Sequence, residues 1–223
     1  MSVQPRRLAA IAVATVFAAA AASAAVAAAR GYTVRLNAAD NAAARAATLK
    51  RSDFGSAAGW TGGATKPDLT SDLECSTYHP DLSGIVVTGA AASSFRNDML
   101  GFDSQIGVVQ TAAMTKRDFE LSQAPGVVGC LREALERSLP NSDTIVSVGR
   151  VPFPHVATYS AAFRLVFEIA AKGQTVRIFS DAVVIVRGRT EIVLAATAPD
   201  AAKKSVVRAE IRLARLLAAR ARA

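Results

Sequence analysis

Two cysteines, Cys75 and Cys130, carry all the thiol chemistry this chain has. Redox pairs sit close in sequence, as in Cys-x-x-Cys, and these stand 55 residues apart. In an oxidising compartment the default for such a pair is one structural disulfide. It would close a loop of about 55 residues and add about 4 kcal/mol of stability by chain entropy. Two free thiols, or a redox pair, are the alternatives. The two histidines are isolated: His79 lies in Ser-Thr-Tyr-His-Pro-Asp beside Asp81, and His155 follows Pro-Phe-Pro. A His79–Asp81 pair could move a proton, but a loop histidine beside proline is the ordinary reading of both. Neither joins a His, Cys, Asp or Glu cluster with metal-ligand spacing, so no metal site is expected.

Catalytic signatures are missing too. The chain has no Gly-x-Ser-x-Gly elbow and no Ser-x-x-Lys. Gly62-Gly63 and Gly84 lack the Lys-Ser/Thr of a phosphate-cradling loop. Its 18 acids are spread thinly and form no constellation that could be assigned to glycosidase work. No catalytic or cofactor-binding residue is assigned, no cofactor is expected, and the chain reads as a non-enzyme.

The first thirty residues set the compartment. Arg6 and Arg7 precede an apolar run over 8–22, and small residues in Ala-x-Ala spacing follow. Charge, then apolar, then small is the order that a secretion channel and its peptidase read. Residues 1–29 are therefore expected to be a signal peptide. An uncleaved anchor is the alternative, since 8–29 is long enough to span a bilayer, though alanine drives insertion weakly. No cysteine near the leader permits a lipid anchor of the lipoprotein kind. Export excludes nucleic acid as an ordinary partner, despite a formal charge of +8. Phospholipid headgroups and acidic wall polymers are the anions left. About 190 residues remain after the leader, enough for one domain with a real core.

The elements that must position any site follow. Residues 30–47 are Ala-rich and read as a tether, with a helix able to start at Asp40. A single domain is expected over 48–223. Within it, 48–67 reads as a helix end and a turn presenting Trp60, the only tryptophan. Ile85-Val86-Val87-Thr88 begins a strand, extended by Ser93-Ser94-Phe95; a turn at Asn97-Asp98 leads to a second over 104–111. Thr115 reads as the N-cap of a short helix. Pro125-Gly126 breaks it, and a second helix over 127–139 carries Cys130. Residues 143–151 read as a strand ended by Pro-Phe-Pro. The strongest pattern is Tyr159, Ala161, Phe163, Leu165, Phe167 and Ile169 on one face, with Ser160, Arg164, Glu168 and Lys172 on the other. Period two over that length predicts a half-buried antiparallel strand. Gly173 and Gly188 mark hairpin turns to two further strands. A helix over 201–222, with Asp200 as its N-cap, closes the chain. Glu210 is the one misfit on its apolar face and is expected at the sheet's rim.

The fold class is thus α+β: an antiparallel sheet of about five or six strands with a C-terminal meander, packed by helices including a C-terminal one. The turn from Asp53 to Trp60, the helix with Cys130, Val-Val-Ile-Val-Arg-Gly-Arg at 183–189, Ile-Val-Leu at 192–194 and the last helix together resemble a class of exported actinobacterial domains. These are the sensor-like ectodomains of PknH-type receptor kinases and small secreted lipoproteins of PsbP-like fold. The resemblance spans residues 48–220. It implies a sheet flanked by helices and a ligand-sensing or envelope-binding role, with no catalytic residues to carry over.

The expected function is an exported, non-enzymatic binding or sensor-like domain that holds an unknown small molecule or envelope component. Trp60, Phe153, Tyr159, Phe163 and Phe167 are the candidate pocket lining. The alternative is an envelope interaction protein whose Arg208, Arg212 and Arg215 meet anionic lipid or wall polymer. A cryptic hydrolase, built on a carboxylate pair in a deep cleft, is the third reading.

Overall fold

The alternating run that ends in Arg-Gly-Arg builds the middle of the molecule. A computed structural model describes residues 31–56, 59–69, 75–76, 78–140, 143–171 and 174–221. The leader expected over 1–29 lies outside the described residues. Among them, no helix is long and apolar enough to cross a membrane.

Strands β6 (Tyr159–Ala171), β7 (Gln174–Arg187) and β8 (Thr190–Pro199) form the expected antiparallel meander. Gly188 turns β7 into β8 at φ 59°, a left-handed conformation that costs glycine little. With β1 (Thr33–Val34), β2 (Thr61–Thr65), β3 (Val86–Asn97), β4 (Leu100–Val109) and β5 (Thr144–Val151), the sheet has eight strands among the described residues. Their order is β1-β3-β4-β8-β7-β6-β5, with β2 also on β3.

That is two strands more than the sequence predicts. Two-residue β1 and Thr-Gly-Gly-Ala-Thr of β2 have no hydrophobic alternation to announce them. The outer edge of β3 recruits both, β1 in parallel at Val86 and Val87, and β2 antiparallel along 92–96. The weak stretch Gly89–Ala92 does not interrupt β3, because β4 pairs along nearly its whole length.

Helices cover both faces. Helix α1 (Ala38–Ala47) and helix α4 (Lys203–Arg220) pack on one. There Ala44 and Ala47 join Phe102, Ile185, Leu194, Leu213 and Leu217 in the largest core cluster. Helices α2 (Ala112–Ser122) and α3 (Val127–Ser138) pack on the other. Leu131 of α3 meets Phe163, Leu135 meets Phe167, and Phe119 of α2 meets Val184 and Val193. Because neighbouring strand residues point to opposite faces, β6 is buried on both. Ala162 and Val166 lie in the α4-side core, so the strand expected to be half-buried is a central one.

Three boundaries depart from the sequence reading. The stretch expected as a tether is largely part of the domain: Asn37 caps α1 by accepting from Asp40 N, and Ala44 and Ala47 are fully buried. The alanines and Gly89 allow that close approach. A Cβ on Gly89 would lie 2.3 Å from the Asp40 carbonyl carbon. Helix α2 is capped by Thr111, whose Oγ1 accepts from Met114 N, and not by Thr115. Asp200 opens a short 3-10 turn (Asp200–Ala202) and does not cap α4. The expected disulfide joins Cys75 and Cys130 across a Cα–Cα distance of 5.2 Å, within bridging reach. It ties α3 to the segment leading into β3.

Candidate functional site

The five aromatics expected to line one pocket are split between the two faces. Trp60 stacks on Phe54 at 4.3 Å and packs with Phe153 against the α4-side core. Phe163 and Phe167 lie in separate clusters under α3, and Tyr159 stacks on Phe119 at 5.2 Å. All five sit in packing contacts, and the structure does not bring them into a common cavity.

It brings three other residues together instead. In the β4–β8 pairing, Gly107 stands opposite Glu191. Helix α2 lies over this part of the sheet and turns Asp118 inward. Thr33 N, in β1, donates to Ile85 O at 3.0 Å, which holds the preceding Tyr32 beside Val87 and Val109. From there the Tyr32 hydroxyl donates to both oxygens of Asp118, at 2.7 and 2.9 Å. Between them is a partly open recess of about 40 Å³, walled by Leu69, Val87, Ile106, Val109 and Val193. Gln105 anchors its rim by donating from Nε2 to Asp68 O at 2.8 Å.

The electrostatics of the recess are unusual. Asp118 and Glu191 are 7% and 8% exposed, and no ion pair reaches either among the described residues. Glu191 Oε2 is buried with no hydrogen-bond partner there. Burial raises the Asp118 carboxyl to about 6, against the lowering effect of the Tyr32 hydroxyl. Burial, and then the charge of Asp118, push Glu191 well above the usual carboxylate range. Tyr32 is raised as well, by burial and both acids. Such an arrangement can hold protons or a cation. Among the described residues no three metal-ligating side chains cluster.

A second buried acid, Glu210, likewise has an oxygen, Oε1, without a hydrogen-bond partner among the described residues, but it faces the Arg164–Asp181 pair. Glu210 is not at the rim but 1% exposed under α4, where burial and Asp181 raise its carboxyl well above the usual range. Asp181 is held by Arg164, with Nε–Oδ1 at 2.6 Å, and the guanidinium lies 5.3 Å from the Phe179 ring centroid. His79 does not pair with Asp81. That carboxylate accepts from Ser83 at 2.6 Å and from Arg117 at 3.0 Å, and both histidines are exposed. Arg208, Arg212 and Arg215 all lie exposed on the outer face of α4, without an ion-pair partner among the described residues. Sequence reasoning missed Tyr32, Asp118 and Glu191. The one signal available was Glu191, an acid beside the apolar run Ile192–Ala196 of β8; Asp118 lies in a helix rich in charges and gives none.

No protein-family model matches the chain, and no curated protein matches it. In structure it is similar to the extracellular domain of PknH from Mycobacterium tuberculosis, at 10% identity and a TM-score of 0.39, covering 78% of this chain and 95% of that one. It is also similar to LpqN, involved in cell envelope biogenesis of Mycobacterium tuberculosis, at 12% identity and a TM-score of 0.28, covering 69% and 73%. The resemblance to PknH-type ectodomains expected from the sequence thus recurs in the structure. It is a likeness of chain architecture, at an identity too low to carry any residue's role across.

Proposed function

We propose that this protein is an extracytoplasmic binding domain of the cell envelope, and that its ligand site is the recess of Tyr32, Asp118 and Glu191. One observation carries the reading: a buried carboxylate oxygen of Glu191 faces a cavity with no partner of its own. An unsatisfied buried polar atom costs about 1–3 kcal/mol, a cost that a bound ligand removes. The signal-like leader and the Cys75–Cys130 bridge support the compartment. The recess is small, about 40 Å³, which favours holding one small group over hydrolysing a polymer. Native mass spectrometry of the full chain from its own host, under non-reducing conditions, tests the reading. A co-purified small molecule, lost when Gly107→Val fills the cavity, is the expected result. Ligand-free protein in both cases overturns it.

A second reading rests on the outer face of α4, where Arg208, Arg212 and Arg215 follow exposed Lys204 at helical spacing. Unpaired guanidinium groups on one face suit phosphate-bearing lipid or acidic polymer. Co-sedimentation with phosphatidylglycerol vesicles should then weaken with salt and vanish when all three arginines become Gln. Sedimentation indifferent to both changes rules it out.

A further inference from the structure

Resting on the binding-site reading above, we infer that the recess takes a primary ammonium group carried on an unbranched aliphatic stem. The charge balance comes first. Four elements present polar groups to the cavity: Tyr32 ahead of β1, Gln105 on β4, Asp118 on α2 and Glu191 on β8. Two of these are acids and none is a cation. The Tyr32 hydrogen is already given to Asp118, and a Gln105 amide hydrogen to Asp68 O. With its acids ionised, the cavity therefore offers acceptors where a ligand must bring donors, and like charge disfavours an anion.

Donor number and size narrow the class. An ammonium has three N–H donors in a compact head. Glu191 has no hydrogen bond to compete for its carboxylate among the described residues, and an ionised Asp118 accepts from Tyr32 with lone pairs to spare. A guanidinium would bring five donors in a rigid plane and bury some against aliphatic walls. Calcium needs six to eight oxygen ligands, and this donor set is smaller. A quaternary ammonium needs an aromatic cage, whereas Tyr32 is the single aromatic in the lining. The walls of Leu69, Val87, Val109 and Val193 suit methylenes.

Gly107 supplies the room. A Cβ built on it meets nothing within 4 Å, and the residue is partly exposed beside Glu191. A stem can leave the cavity along that side. Asp118, raised to about 6, holds a proton at pH 5 and has lost most of it by pH 7, while burial keeps one on Glu191 that a cation must displace. Affinity should therefore rise at least tenfold from pH 5 to pH 7.

The test is calorimetric titration of the full chain with n-butylammonium chloride, and with 1-butanol as the neutral counterpart. The expected result is saturable binding of butylammonium, at least tenfold weaker binding of butanol, and tighter binding at pH 7. Glu191→Gln should weaken it at least tenfold. Gly107→Ala, which adds one methyl group to open space, should weaken it with no loss of melting temperature. Equal affinity for butanol, preferential binding of guanidinium or calcium, or butylammonium binding that ignores Gly107→Ala overturns the inference. A co-purified ligand without an amine, displaced by Gly107→Val, overturns the ammonium while leaving the binding domain standing. Ligand-free protein from the host overturns the binding domain itself.

Discussion

Gly107 and Glu191 face each other across β4 and β8, and the glycine leaves the flank of a buried carboxyl open. Glycine inside a strand costs about 0.5–1 kcal/mol in backbone entropy, with no packing in return here. Gly107→Val should therefore fold and raise stability by up to about 1 kcal/mol in urea unfolding. Gly89→Ala should do the opposite, because its Cβ would strike the Asp40 backbone. A loss of stability in Gly107→Val would show that the space is already filled.

The recess acids give the protein an unusual pH profile. Asp118 is raised to about 6, from about 3.9 in an unfolded chain. The folded state therefore binds the proton more tightly. Its contribution is fully present below about pH 4 and lost as pH rises through 6, at a cost of about 3 kcal/mol. Glu191 extends the decline to higher pH. Asp40 acts with the other sign. Hydrogen bonding by Arg189 lowers it to about 2, so its support appears above about pH 4 and fades as pH falls toward 2. Stability should peak near pH 4–5 and fall by pH 8, and Glu191→Gln should flatten the alkaline side. A wild-type profile level from pH 5 to pH 8 would contradict burial of these acids.

Under α4, Glu210 shares one arginine with Asp181. Glu210→Gln keeps the shape and removes a group that burial holds protonated, so stability at pH 8 should be unchanged or higher. Arg164→Ala leaves Asp181 buried without its partner and should cost about 3–5 kcal/mol. Chemical denaturation of the two variants side by side separates these effects, and equal losses would refute the arrangement.

Reducing the Cys75–Cys130 bridge frees a loop of 55 residues and should lower stability by about 4 kcal/mol. Urea midpoints with and without dithiothreitol measure it. Coincident curves would mean that the thiols are not bonded in the purified protein.

The meander was legible because its residues alternate strongly and Gly188 marks its turn. So was the cysteine pair, because two cysteines allow one bridge. Strands β1 and β2 were not, since β3 holds them by backbone pairing that no side-chain pattern records. Helix α1 looked like a tether because alanine, which here allows it to lie close over Gly89, is also what a linker is made of. The recess was the least legible part. Tyr32, Asp118 and Glu191 are separated by long stretches of chain, and the strand order and the path of α2 bring them together. Trp60 and the phenylalanines looked like a pocket by type alone, and every one of them went to packing.

Strand β8 is the last strand made, yet it lies between β4 and β7. A chain synthesised only as far as Arg187 therefore holds two part-sheets, β1–β4 and β5–β7, each ending in a bare row of amide and carbonyl groups. The ten residues of β8 join them, and bring Glu191 to the flank of Gly107. Until that segment is in place, neither the whole sheet nor the recess exists, and both come into being in a single closing event.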